Sequence, residues 1–165
     1  MSPSCLVDTT AVQILKPTLS PWEYYCSHKS QHCLFYQITC SLGKPFRFLS
    51  FDGPFKGAAA DVSIFRSTLL PKLRENERVM CDKGYYQENR CWCPPTGRLQ
   101  QLSTQNKAER RKVTRIRHLN ERLIGRLTTW GCFKKKWRYS WEFQADCAHV
   151  VAKLTQLEVY AFPLM

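Results

Sequence analysis

Residues 34–51 read LFYQITCSLGKPFRFLSF, and this stretch decides the fold. Two runs with alternating apolar positions, LFYQITC and PFRFLSF, flank the turn signal SLGK. Alternation on both sides of a Gly-containing turn predicts an antiparallel hairpin. Before it, residues 16–33 form a Pro-, Ser- and aromatic-rich loop, and residues 4–10 (SCLVDTT) form a short buried strand. After it, DGPFKG is expected to be a loop. A helix over 58–74 follows, with Val62, Phe65 and Leu69 on one face, and Pro71 kinks or ends it. Residues 78–81 make another short strand, turned by Lys83-Gly84. Cys91–Cys93 make a third, stopped by Pro94-Pro95.

The polar loop TGRLQQLSTQ then leads into a helix over about 106–130. Its stripe is Val113, Ile116, Leu119 or Asn120, Leu123, Ile124 and Leu127. A last helix spans 143–158. Strands interleaved with helices around a hairpin give an α/β fold with a mixed sheet. There is no internal repeat.

Composition limits the functions available. The 165 residues suit one domain, 1–165, with a sizeable core. Hydrophobic residues make up 44% and aromatics 13%, which excludes disorder by composition. Twenty-five Lys and Arg against 13 Asp and Glu give +12, which points first to a nucleic-acid partner. A basic surface with no specific partner is the plainer alternative. No run approaches the roughly 18 apolar residues of a membrane span, so no membrane partner is expected. The start MSPSCLVD lacks a signal peptide's charged and apolar regions. With nine cysteines, an odd number, we expect reduced thiols and a nuclear or cytoplasmic, not secreted, protein.

Three acids stand in three settings. Asp8 ends the apolar run CLV, Asp82 ends VMC before the turn KGY, and Glu121 lies in the basic amphipathic segment RRKVTRIRHLNERLIGRL. Phosphodiester chemistry needs an attacking oxygen, a stabilised leaving oxygen and neutralised phosphate charge, and two divalent ions can provide all three. Mg²⁺ binds through a few carboxylates plus substrate phosphate. Clustered carboxylates repel one another, so a fold that gathers them implies a cation. Each acid also has a plain structural reading: a solvated strand-end residue for Asp8, a turn residue for Asp82, and a helical pair with Arg117 for Glu121. Glu121 falls at the border of the apolar stripe and can face the sheet's rim, while Arg111, Arg115, Arg122 and Arg126 lie on the opposite face.

The segments SFDGPFKGAAADVSIFRSTLLPKL, RVMCDKGYY and RIRHLNERLIGRL resemble the DDE superfamily endonuclease domain of Harbinger-type transposases. VDTTAVQI is similar to that family's first-aspartate strand, and YYCSHKSQHCLFYQI to its Tyr-Ser-x-Lys segment. The likeness runs from about residue 5 to residue 130. It implies an RNase H-like fold with a mixed five-stranded sheet flanked by helices, Mg²⁺ or Mn²⁺ as cofactor, and cutting or transfer of DNA strands. It assigns Asp8, Asp82 and Glu121 as the catalytic acids, with Asp61 in ADVSIFR as a fourth metal-side carboxylate or a first-turn helix acid. Ala60 stands where relatives often carry His. Arg117 matches an Arg usual four residues before the last Glu, whereas Thr114 and Thr128 replace that signature's Tyr and Lys.

Only seven residues precede Asp8, so the N-terminal DNA-binding region of a full transposase is expected to be absent. Either a separate DNA-binding partner protein supplies that part, or the chain is an inactive, truncated or domesticated remnant that binds DNA or protein.

Basic residues complete the reading. Arg111, Arg115, Arg117 and Arg122 are candidate DNA contacts. So are Lys134, Lys135 and Lys136 in FKKKWRYSW (133–141), whose aromatics suit base stacking. The alternative is a solvated charge run anchored by its aromatics. Cys26, His28, His32 and Cys33, and the pair Cys91 and Cys93, have poor spacing for zinc. His118 and His149 are expected on helix surfaces.

Overall fold

The structure, a computed structural model, describes residues 3–43, 45–85, 88–93 and 104–164. The expected loop from residue 96 to the start of the long helix, and the stop at Pro94-Pro95, lie outside the described residues. The strands are β1 (Cys5–Gln13), β2 (Tyr25–Cys26), β3 (Gln31–Ser41), β4 (Phe48–Lys56), β5 (Val79–Met80) and β6 (Cys91–Trp92). The helices are α1 (Asp61–Thr68), α2 (Thr104–Thr128), α3 (Gly131–Lys134) and α4 (Trp141–Ala161). β4, β3 and β1 pair antiparallel, and β1, β5 and β6 pair parallel, giving a mixed sheet of six strands when the two-residue β2 is counted. Among the described residues, no helix is long and apolar enough to cross a membrane.

β3 is buried from Cys33 to Cys40 because helices cover both faces of the sheet's middle. Its even-numbered residues Leu34, Tyr36, Ile38 and Cys40 meet Val12 of β1, Ile14 just after it, Leu123 and Leu127 of α2, Phe133 of α3 and Ala148 of α4. Its odd-numbered Phe35 meets Ile64 of α1. Period-two alternation therefore separates an α2–α4 side from an α1 side.

The hairpin is present, but β4 runs on through DGPFK, where a loop was expected. Phe35 pairs with Phe55 and Gln37 with Asp52, leaving Gly53-Pro54 opposite Tyr36. Pro54, which has no N–H to give a ladder, falls where the ladder is already interrupted. Gly53 has φ 144°, and a Cβ there would lie 2.8 Å from the Phe35 carbonyl oxygen. α1 is shorter than expected, ending before a 3-10 turn at Leu70–Lys72 that contains Pro71. α2 runs 104–128. α4 begins two residues earlier than expected, where the Ser140 hydroxyl accepts from the Phe143 N–H at 3.3 Å. His149 packs edge-on against Phe51 at 5.3 Å and is half-buried, not on the surface.

Candidate active site

β1 and β5 pair in parallel through Cys5–Val79 and Leu6–Met80. Two residues after Leu6, still in β1, stands Asp8, and two residues after Met80, just past the end of β5, stands Asp82. They occupy equivalent positions, just where the ladder opens, and alternation puts them on the face of Leu6 and Met80. That face is covered by α2: Val113 packs on Leu6 and Met80. One helical turn on, Arg117 Nη1 reaches Asp82 Oδ1 at 3.3 Å. Nearly one more turn on, Asn120 donates through Nδ2 to Asp8 Oδ2 at 2.8 Å. Glu121, next along the helix and exposed, lines the same cleft as Asp8, Asp82, Arg117 and Asn120. Three acids far apart in sequence thus border one opening.

Their electrostatic settings differ. Asp8 is half-buried, and burial pushes its carboxyl above the ordinary carboxylate range. The charges of Asp82 and Asp61 push the same way, while the Thr9 N–H, donating to Oδ1 at 2.8 Å, and the Arg117 guanidinium pull back. The Asp82 side chain is 53% exposed, so its pair with Arg117 is a wet one of modest worth. Asp61 lies across β1. It opens α1 and accepts from the Thr9 hydroxyl at 3.0 Å, on the face opposite Asp8, and it does not line the cleft. A Cβ at Gly84 would meet Asp61 Oδ2 at 3.4 Å, an ordinary contact, so the KGY turn passes beside this acid. Tyr85, the last residue of that turn, is buried, and its hydroxyl has no hydrogen-bond partner. Burial pushes its phenol up, and the charges of Asp61 and Asp8 add to the effect.

The donors suit a hard divalent cation: all are carboxylate oxygens, and burial disfavours the charge on Asp8 unless a cation faces it. Among the described residues, no group of three His, Cys, Asp or Glu stands close enough together to hold a metal ion. Asp8 and Asp82 therefore flank the opening with Glu121 at its rim and do not close on one point.

The expected DNA contacts divide into groups. Arg111, Arg115 and Arg122 are exposed on α2, and Lys134, Lys135 and Lys136 are exposed at the end of α3 and just beyond it. Arg117 is engaged with Asp82 instead. Arg126, expected on the solvent face, donates to the Phe162 carbonyl at 2.8 Å. The cysteines are free thiols, with Cys26 and Cys33 buried. Sequence reasoning missed Asn120 and Thr9 as groups that hold the acids. Asn120 carried a usable signal, being a polar residue where the apolar stripe of α2 required a buried one.

No curated protein and no solved structure matches the chain. The family model of the DDE superfamily endonucleases matches residues 7–156, a span that takes in Asp8, Asp61, Asp82 and Glu121. The chain belongs to the DDE superfamily endonuclease family.

Proposed function

We propose that this chain is a divalent-metal-dependent DNA nuclease or strand-transfer domain of Harbinger-transposase type, built on an RNase H-like sheet and working on DNA in the nucleus. The observation that carries this reading is the equivalent placement of Asp8 on β1 and Asp82 just past the end of the parallel neighbour β5, with Glu121 presented from α2 at the same cleft. Asp8, Asp82 and Glu121 would hold Mg²⁺ or Mn²⁺. When bound, such a cation supplies Lewis acidity and charge neutralisation at a phosphodiester.

The chain's own residues supply the rest. The Thr9 N–H and the Asn120 amide fix both oxygens of Asp8, so one face of the cleft is preorganised. Arg117 positions Asp82. Asp61 is read as an acid that steadies Thr9 and β1 from behind, or as a fourth carboxylate if the turn shifts. Arg111, Arg115, Arg122, Lys134, Lys135 and Lys136 contact backbone phosphates.

The test is Mn²⁺ titration and plasmid cleavage by wild type, Asp82→Asn and Glu121→Gln. The reading expects metal binding that both variants weaken and metal-dependent cleavage that both abolish. Equal cleavage by all three overturns it. One observation favours a second reading, a non-catalytic DNA-binding remnant: Arg117 neutralises Asp82 and the acids do not close on one point. Its mark is salt-sensitive DNA binding by a folded protein with neither metal binding nor cleavage.

A further inference from the structure

The segment after α3 adds a short rib to the sheet. The Trp137 N–H donates to the Gln13 carbonyl at 2.8 Å, and the Leu15 N–H donates to the Trp137 carbonyl at 3.2 Å, forming a parallel bridge between Ile14 and Trp137. Trp137 Nε1 donates to the Ser140 carbonyl at 2.9 Å, and Ser140 caps α4. Rigid neighbours therefore hold both ends of the segment. Three rings gather on it: Trp137–Tyr139 at 5.4 Å, Trp137–Phe143 at 5.5 Å and Tyr139–Phe143 at 6.2 Å between centroids. Trp137 is half-buried against the core, but Tyr139 is 70% and Phe143 53% exposed. Lys135, Lys136 and Arg138 line a concave shelf with Trp137 and Tyr139. Lys134 adds a fourth cation, and Glu142 is the one acid in the first turn of α4.

We propose that Trp137, Tyr139 and Phe143, with Lys135, Lys136 and Arg138 around them, form a stacking platform for unpaired nucleotides of a DNA strand. The cations supply what a polyanionic backbone requires, and the rings supply what only an unstacked base can use. A duplex keeps its base faces covered, so it gains from the lysines and not from the rings. An acidic peptide would likewise use the charge alone. β1 connects the platform to the acids: from Asp8 to Gln13 is five residues, or about 17 Å of strand. A strand leaving the cleft along β1 would reach the shelf within a few nucleotides. The choice of DNA rests on the nuclease reading above.

The experiment measures fluorescence anisotropy of a labelled oligothymidylate, and of a duplex of the same length, with the full chain in EDTA. Because EDTA removes divalent metal, the readout does not depend on cleavage. Loss of the nuclease reading alone would leave it unchanged. Tyr139→Ala and Phe143→Ala, both at exposed positions, are expected to weaken single-strand binding about tenfold to hundredfold while changing duplex binding less than twofold. Lys135→Gln with Lys136→Gln is expected to weaken both and to reduce the single-strand salt slope by about 1.4. Tyr139→Phe should bind as wild type, since it keeps the ring. Equal losses on single strand and duplex, no loss for the ring variants with circular dichroism unchanged, equal competition by polyglutamate, or tighter binding of the matching RNA each overturn the proposal.

Discussion

Asn120→Ala tests the architecture of the cleft most directly. Asn120 is 2% exposed and donates to Asp8 Oδ2 at 2.8 Å, while its Oδ1 faces the Cys40 thiol at 3.5 Å. Truncation removes a hydrogen bond to a charged group, worth about 1.5–3 kcal/mol net. The Cys40 contact is weak and adds little. In a domain of this size each kcal/mol moves the midpoint by about 2–4 °C, so a fall of about 3–12 °C is expected at neutral pH. The donor favours ionised Asp8, so its loss pushes that carboxyl further up and the penalty shrinks in acid, where Asp8 is protonated. Thermal melts of wild type, Asn120→Ala, Asp8→Asn and the double variant form the assay. If Asn120 acts through Asp8, the cycle shows a coupling of at least about 1 kcal/mol at pH 7. Additivity within about 0.5 kcal/mol would refute the reasoning and reduce Asn120 to a space-filling residue.

Two further outcomes follow from the same geometry. Because burial raises the Asp8 carboxyl in the folded state, the native protein binds that proton more tightly than the unfolded chain does, so this group's contribution to stability is lost as pH rises from the ordinary carboxylate range through the raised value. Metal-free Asp8→Asn should therefore match wild type in acid and equal or exceed it at pH 7. A variant less stable at pH 7 than in acid, relative to wild type, would contradict this. Gly57→Ala should be severely destabilising, by at least about 3 kcal/mol in urea melts. Its Cβ would lie 2.5 Å from the Cys33 carbonyl oxygen and crowd the Tyr24 carbonyl, both of which are backbone atoms. Wild-type stability would mean that this approach of chain segments is looser than described.

The sheet's antiparallel half was legible because alternation in LFYQITC and PFRFLSF is a local signal. The strand through DGPFK was not, since Gly-Pro ordinarily marks a turn. Here that dipeptide instead occupies the irregularity opposite Tyr36, which only pairing with β3 reveals. The acids themselves could be picked out by their contexts, but the equivalence of Asp8 and Asp82 depends on the Leu6–Met80 register, which spans 74 residues and leaves no local trace. Helical spacing suggested that Arg117 would pair with Glu121. It turns instead to Asp82, because at that point α2 crosses the open end of β5. The hydroxyl of Thr9 and the amide of Asn120 support acids across chain separations that no periodicity encodes.

The distribution of charge carries the functional reading further than any single acid does. The chain has 13 acids and a net charge of +12, yet four of the 13, Asp8, Asp61, Asp82 and Glu121, stand in or behind one opening. Among the described residues lining it, Arg117 is the one cation. Burial, and with it the charges of Asp82 and Asp61, disfavours the ionised Asp8 carboxylate, so this grouping works against folding with that charge in place. A fold selected only for stability would spread these acids among the 25 basic residues. The same grouping opposes the proposed substrate, since a phosphate drawn in by the outer Lys and Arg meets a negative mouth. Both costs disappear if a divalent cation lies between carboxylates and phosphate. On this argument, metal and DNA should bind with positive coupling, each raising the affinity for the other by the same factor. Mn²⁺ titrations with and without an uncleavable strand would show it. Affinities that do not change between the two would mean that the acids and the DNA-binding surface serve separate ends.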